Sequence, residues 1–127
     1  MVALLKQFIT RKVLNSSLLA KTEEILDHYF NDEKLLSRGI PTVQYLSDQL
    51  HISPGYLSDV LRNLTGQNAQ QHIHNKVIEN AKEKLSTTEL SISEIAYGLG
   101  FEHAQSFSRL FKTKTNLSPI AFRQSFN

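Results

Sequence analysis

The feature that most constrains this chain is an internal repeat. Val43, Leu46, Leu50 and Ile52 match Ile92, Ile95, Leu99 and Phe101 at an offset of 49. Leu57, Val60, Leu61, Arg62, Thr65 and Gly66 match Phe107, Leu110, Phe111, Lys112, Thr115 and Asn116 at an offset of 50. The two segments share one plan, with one residue inserted in the second turn. Each plan is a short helix, a tight turn and a second helix with an exposed polar face, which is a helix-turn-helix. Matched apolar positions in both helices of both copies restrict the fold more than either copy alone. Small Ser47 and Ala96 fall at matching sites, where two helices that cross closely leave little room for bulk.

Local signals place the remaining elements. Leu18, Leu19, Ile25, Leu26, Tyr29 and Phe30 recur at helical spacing with acidic residues between them, so an amphipathic helix is expected from Leu18 to about Phe30. Asn15-Ser16-Ser17 reads as a break or cap before it, and Asn31-Asp32 and then Ser37 to Pro41 as a loop. Thr42 is a helix cap. Ser53-Pro54 is a cap followed by proline at the first helical position, and Gly66 suits a left-handed helix end. A longer helix is expected over 69–85, with Ile73, Val77, Ala81 and Leu85 on one face. Ser91 with Glu94 is a capping box, and the helix it opens runs through Leu99. Gly98, Gly100 and Phe101 make the turn, His103 to Lys112 the next helix, and Ser118-Pro119 opens a last one through Arg123. No segment alternates like a strand. The expected fold is all-α, with about seven helices.

Composition excludes several function classes. The 127 residues suit one domain with a modest core. No apolar run approaches the ~20 residues of a membrane span, and no secretory signal opens the chain. With no cysteine, disulfides and thiolate metal sites are ruled out, which agrees with a cytoplasmic protein. His72 and His74 lie two apart on a helix and point away from each other, so no metal is expected. No cofactor is expected either. Nothing resembles a nucleophile setting such as G-x-S-x-G, so an enzyme is not expected. Phe101, Phe107 and Phe111 occupy apolar positions of the repeat and read as core. Tyr56 and Tyr97 can each pack or reach a phosphate.

The net charge is only +2, but its distribution is uneven. Residues 103–127 carry Arg109, Lys112, Lys114 and Arg123 with no acid, while 23–33 carry five acids and no Lys or Arg. On the second helix of the second copy, Gln105, Ser108 and Arg109 share one face. Gln can pair with adenine and Arg with guanine, each through two hydrogen bonds in the major groove. Lys112 lies further along and suits phosphate.

The second copy with its flanks, SISEIAYGLGFEHAQSFSRLFKTKTNLSPIAFR, resembles the signature of AraC/XylS-type transcription regulators. TVQYLSDQLHISPGYLSDVLRNLTGQ resembles the first helix-turn-helix of that family, and HIHNKVIENAKEKL its linker helix. The likeness covers roughly residues 18–125. It implies two helix-turn-helix subdomains, over 43–66 and 92–115, joined by the helix over 69–85. It further implies binding of two successive major grooves of double-stranded DNA, and activation of transcription.

Carried over by position, the likeness offers Ala104, Gln105, Ser108 and Arg109 toward bases from the second copy. The first copy offers Gly55, Ser58 and Asp59. Ser53, Tyr56, Arg62, His103, Lys112 and Lys114 flank them toward phosphates. Gly55 has no side chain to read with, and Asp59 repels phosphate, so the second copy is expected to carry more of the base readout. Members of the family often carry a sensor domain. Residues 1–17 read as a linker or tail from such a domain, a stand-alone regulator being the other reading. RNA polymerase is a further expected partner, and the sequence leaves monomer or dimer open. The alternative function is a helical protein-interaction module.

Overall fold

A computed structural model describes the backbone of residues 2–126 and the side chains of residues 16–126. Eight helices form the described chain, with no strand among the described residues: α1 (Val2–Phe30), α2 (Glu33–Leu36), α3 (Val43–Leu50), α4 (Pro54–Thr65), α5 (Ala69–Thr87), α6 (Ile92–Gly98), α7 (Ala104–Thr115) and α8 (Pro119–Gln124). The helix beyond the expected number is α2. Asp32 opens it by accepting hydrogen bonds from the amides of Lys34 at 2.9 Å and Leu35 at 3.4 Å.

The caps read from local sequence are in place. Thr42, Ser53 and Ser118 accept from the amides of Tyr45, Tyr56 and Ala121. Ser91 and Glu94 form the reciprocal capping box. Three expectations are corrected. Helix α1 runs without a break at Asn15–Ser17. A serine is tolerated inside a helix when its side chain faces solvent, as exposed Ser16 does. Met1 and the side chains of the rest of the expected tail over 1–17, up to Asn15, lie outside the described residues. Gly98 does not serve the turn: it is the last residue of α6, and of the pair only Gly100 has a positive φ. Helix α5 also outlasts its expected end, because Ser86 and Thr87 turn their hydroxyls back onto helical carbonyls.

The backbone repeats as closely as the apolar pattern does. His51 (φ 57°) and Gly100 (φ 100°) take the left-handed conformation at the same place in the two turns. The next amide, of Ile52 or Phe101, donates back to Ser47 or Ala96 at 3.1 and 3.0 Å. Ser53 and His103 then start the second helices. The residue inserted in the second turn is therefore Glu102. The second helices end alike too. Gly66 (φ 80°) and Asn116 (φ 64°) are left-handed, and the hydroxyls of Thr65 and Thr115 each donate at 2.8 Å to the carbonyl four residues back.

The residues group into two compact units. The first joins residues up to His28 with Thr42–Ile73. Leu26, Leu46, Leu57, Leu61 and Ile73 fill its core. His72 is buried there, its Nε2 2.9 Å from the Thr65 hydroxyl and its Nδ1 3.6 Å from the Glu23 carboxylate. The second unit joins Tyr29–Pro41 with the residues from His74 on. Its core uses larger side chains at the matching positions. Phe107 and Phe111 stand where Leu57 and Leu61 stand in the first copy, all four fully buried. Phe101, Phe107, Phe111, Phe122 and Phe126 form a chain of ring contacts with centroids 5.1–5.9 Å apart. Such pairs are worth about 0.5–1.5 kcal/mol each beyond the area they bury. Arg123 ties α8 to the end of α5, its guanidinium donating to the carbonyls of Leu85 and Thr88.

Candidate nucleic-acid interface

Helix α7 is amphipathic because Phe107 and Phe111, four residues apart, turn into the core. That leaves Gln105, Arg109 and Lys112 exposed, with Ala104 and Ser108 half-buried at the edge of the same face. No acidic residue lies on α7, and Lys112 and Lys114 fall in its last turn. Among the described residues Arg109 has no carboxylate partner. Its guanidinium fork is thus available to pair outward through two parallel hydrogen bonds. Ser108, Arg109, Lys112, Thr113, Asn116 and Ser118 line a shallow hollow of about 550 Å³. Helical spacing alone singles out the first three. Thr113, Asn116 and Ser118 join them because the chain turns at Asn116, a position the sequence marks only as a helix end.

The start of α7 differs from that of α4. Ser53 caps α4 through its hydroxyl at 3.1 Å, whereas His103 makes no side-chain hydrogen bond to the first turn of α7. His103 is exposed, and no side chain caps the first turn of α7. A helix N-terminus attracts negative charge through its open amides and its dipole.

The outer face of α4 is built otherwise. Gly55, Tyr56, Asp59 and Arg62 are exposed and Ser58 half-buried. Arg62 is turned onto Asp59, with Nη1 3.1 Å from Oδ1. The pair leaves this face near neutral, against three cations and no acid on α7. Tyr56 is 53 % exposed on the outer face of α4; Tyr97 is 56 % exposed but sits at the end of α6, off both second helices. Half-buried His74 of α5 feels Lys114. Burial first, and then the Lys114 charge, lower its pKa below the ordinary 6.5. Among the described residues no group of three or more His, Asp or Glu could hold a metal ion. No described helix is long and apolar enough to cross a membrane.

Two helix-turn-helix units, one with an acid-free, outward-facing second helix, define a DNA-binding transcription regulator by fold and face. Comparison with known proteins agrees. A model of the family described as "Helix-turn-helix domain" matches residues 46–125. The chain is 30 % identical over 122 residues to an uncharacterized HTH-type transcriptional regulator of Bacillus subtilis, YobQ, covering 96 % of this chain and 47 % of that one. It is 33 % identical over 79 residues to the HTH-type transcriptional activator RhaS of Escherichia coli, covering 62 % of this chain and 28 % of RhaS. The crystal structure of the C-terminal domain of the two-component response regulator yesN from Fusobacterium nucleatum superposes with a TM-score of 0.70 at 32 % identity, over 82 % of this chain and 95 % of that domain. The chain belongs to the AraC/XylS-type family of helix-turn-helix transcription regulators. It spans less than half the length of the curated relatives it matches.

Proposed function

We propose that this regulator places α4 and α7 in successive major grooves of its operator, with α7 as the principal base reader. Gln105 pairs with adenine and Arg109 with guanine, while Ala104 and Ser108 set close contact at the edge of the helix. His103, Lys112 and Lys114 hold phosphates and fix the register. On α4, Gly55 allows close approach, Ser58 and Asp59 face bases, and Ser53, Tyr56 and Arg62 face the backbone. Asp59 is suited to accept from cytosine N4. The single observation behind the ranking is the ion pair: Asp59 occupies Arg62, whereas Arg109 meets no acid on its own helix.

The chain acts by binding rather than by catalysis, in the cytoplasm. A positive sign of regulation accords with the name of RhaS, an activator. An activator needs RNA polymerase as a partner, and the greater length of the relatives accords with a further sensor domain. The reading is tested by titrating the chain against duplex DNA over a salt series. Binding should weaken with log[salt] at a slope near 0.9 per phosphate neutralised. A salt-insensitive complex, or none, would mean that the exposed faces meet protein instead.

A further inference from the structure

The repeat supplies an internal control for one residue of the second turn. His51 and Gly100 occupy the same left-handed position, and the first turn takes a histidine there, exposed and with its Cβ intact. His51 stays within the left-handed well at φ 57°, whereas at φ 100° a side chain on Gly100 is strained whatever the space, and close approach adds a second demand for glycine. A Cβ on Gly100 would stand 2.8 Å from the carbonyl carbon of Gly39 and 2.9 Å from the amide nitrogen of Ile40. Both are backbone atoms, which cannot swing aside as a side chain can.

Gly39 is itself held. Its φ is +108°, and its carbonyl accepts a 2.6 Å hydrogen bond from the hydroxyl of Tyr29, a residue only 4 % exposed at the end of α1. On the other side of Gly100, the Phe101 ring meets Phe107 of α7 edge-on, with centroids 5.4 Å apart. The inserted residue, Glu102, lines a shallow cavity together with Arg38, Gly39 and Gly100. The longer second turn is thus shaped around the segment that crosses it.

We propose that Tyr29–Pro41 is a brace for the second helix-turn-helix, and that Tyr29, Gly39 and Gly100 are positioning residues for α7. The path runs from the Tyr29 hydroxyl to the Gly39 carbonyl, from there across the backbone contact to Gly100, and through Phe101 to Phe107. The brace sets where α7 presents Gln105 and Arg109, and so sharpens selectivity at the base pairs read by α7. Among the described residues the first copy differs: its turn keeps an exposed side chain, His51, at the same position. This inference rests on the reading of α7 as a base reader, and its test separates the two.

The test compares the full chain with Tyr29→Phe and Gly39→Ala, and uses His51→Ala as the control. One readout is amide hydrogen exchange. The other is preference for duplexes in which one half-site or the other is scrambled. Tyr29→Phe keeps the ring and removes the hydroxyl that donates to Gly39, so the fold survives where Gly100→Ala would distort the turn. Exchange at the hydrogen-bonded amides of Gly100, Phe101, Ser106 and Phe107 should quicken about tenfold, with α3 and α4 unchanged. Preference at the α7 half-site should fall about three- to tenfold while the α4 half-site is spared. Gly39→Ala should act in the same direction, and His51→Ala on neither measure. Unchanged exchange in the second turn of Tyr29→Phe, or equal quickening in both units, would overturn the brace. Local quickening in a chain that never distinguishes the α7 half-site would uphold the brace and remove the base-reading role from α7.

Discussion

Arg109 and Asp59 occupy equivalent positions of the two second helices, and in the proposed function their chemistry divides the work between the copies. Arg109→Ala should cost about 1–3 kcal/mol of specific binding, the worth of one good bidentate base contact. Asp59→Ala frees Arg62 and removes a negative charge, so it should cost less, and at a site without cytosine there it should tighten binding. Operator titrations with both variants rank them; a larger loss for Asp59→Ala would reverse the assignment. His74 gives a second residue-scale prediction. Its folded pKa lies below the unfolded value of 6.5, so the folded state binds fewer protons near that pH. The stability tied to its neutral form is complete above about pH 6.5 and is lost as pH falls through the lowered pKa. Thermal unfolding followed from pH 7 to pH 5 should show a fall in Tm that is shallower in His74→Asn. Identical slopes would mean that His74 carries no part of the pH dependence.

Elements whose signals are local were legible in the sequence. Ser53-Pro54, Ser91 with Glu94, and Ser118-Pro119 mark helix starts because a cap joins groups only a few residues apart. Helix α2 was not legible, since four residues carry no apolar period and Asp32 alone opens it. The unbroken α1 was not either, because serine favours caps in general but does not end a helix when it faces water, as Ser16 does. Cap energetics give a check at this scale. Ser91→Ala should destabilise the chain by about 1 kcal/mol, seen as a shift in the denaturation midpoint without a change in slope. Phe107→Ala should cost about 3–5 kcal/mol, because the fully buried ring leaves a cavity and breaks the chain of aromatic contacts. An effect of Phe107→Ala no larger than that of Ser91→Ala would place the ring outside the core.

At the scale of the molecule, the repeat made both the architecture and the outward faces of α4 and α7 readable. Offset, turn and polar face are all periodic along the chain. Contacts between distant residues were not readable. The Gly39–Gly100 approach, the Lys114 charge beside His74, and the Arg123 tie to Leu85 and Thr88 arise only when far segments meet. The Asp59–Arg62 pair sits between the two cases: its spacing of three was visible, but only the structure turns Arg62 onto the acid.

The central claim is that α7 reads bases, and selection of bound sites from random duplex DNA tests it most directly. The parent chain should enrich two blocks of preferred bases about one helical turn, ~34 Å, apart. Arg109→Ala should lose the preference for one guanine in one block and leave the other block intact. An unchanged motif with Arg109→Ala, or no motif from the parent chain, would contradict the claim.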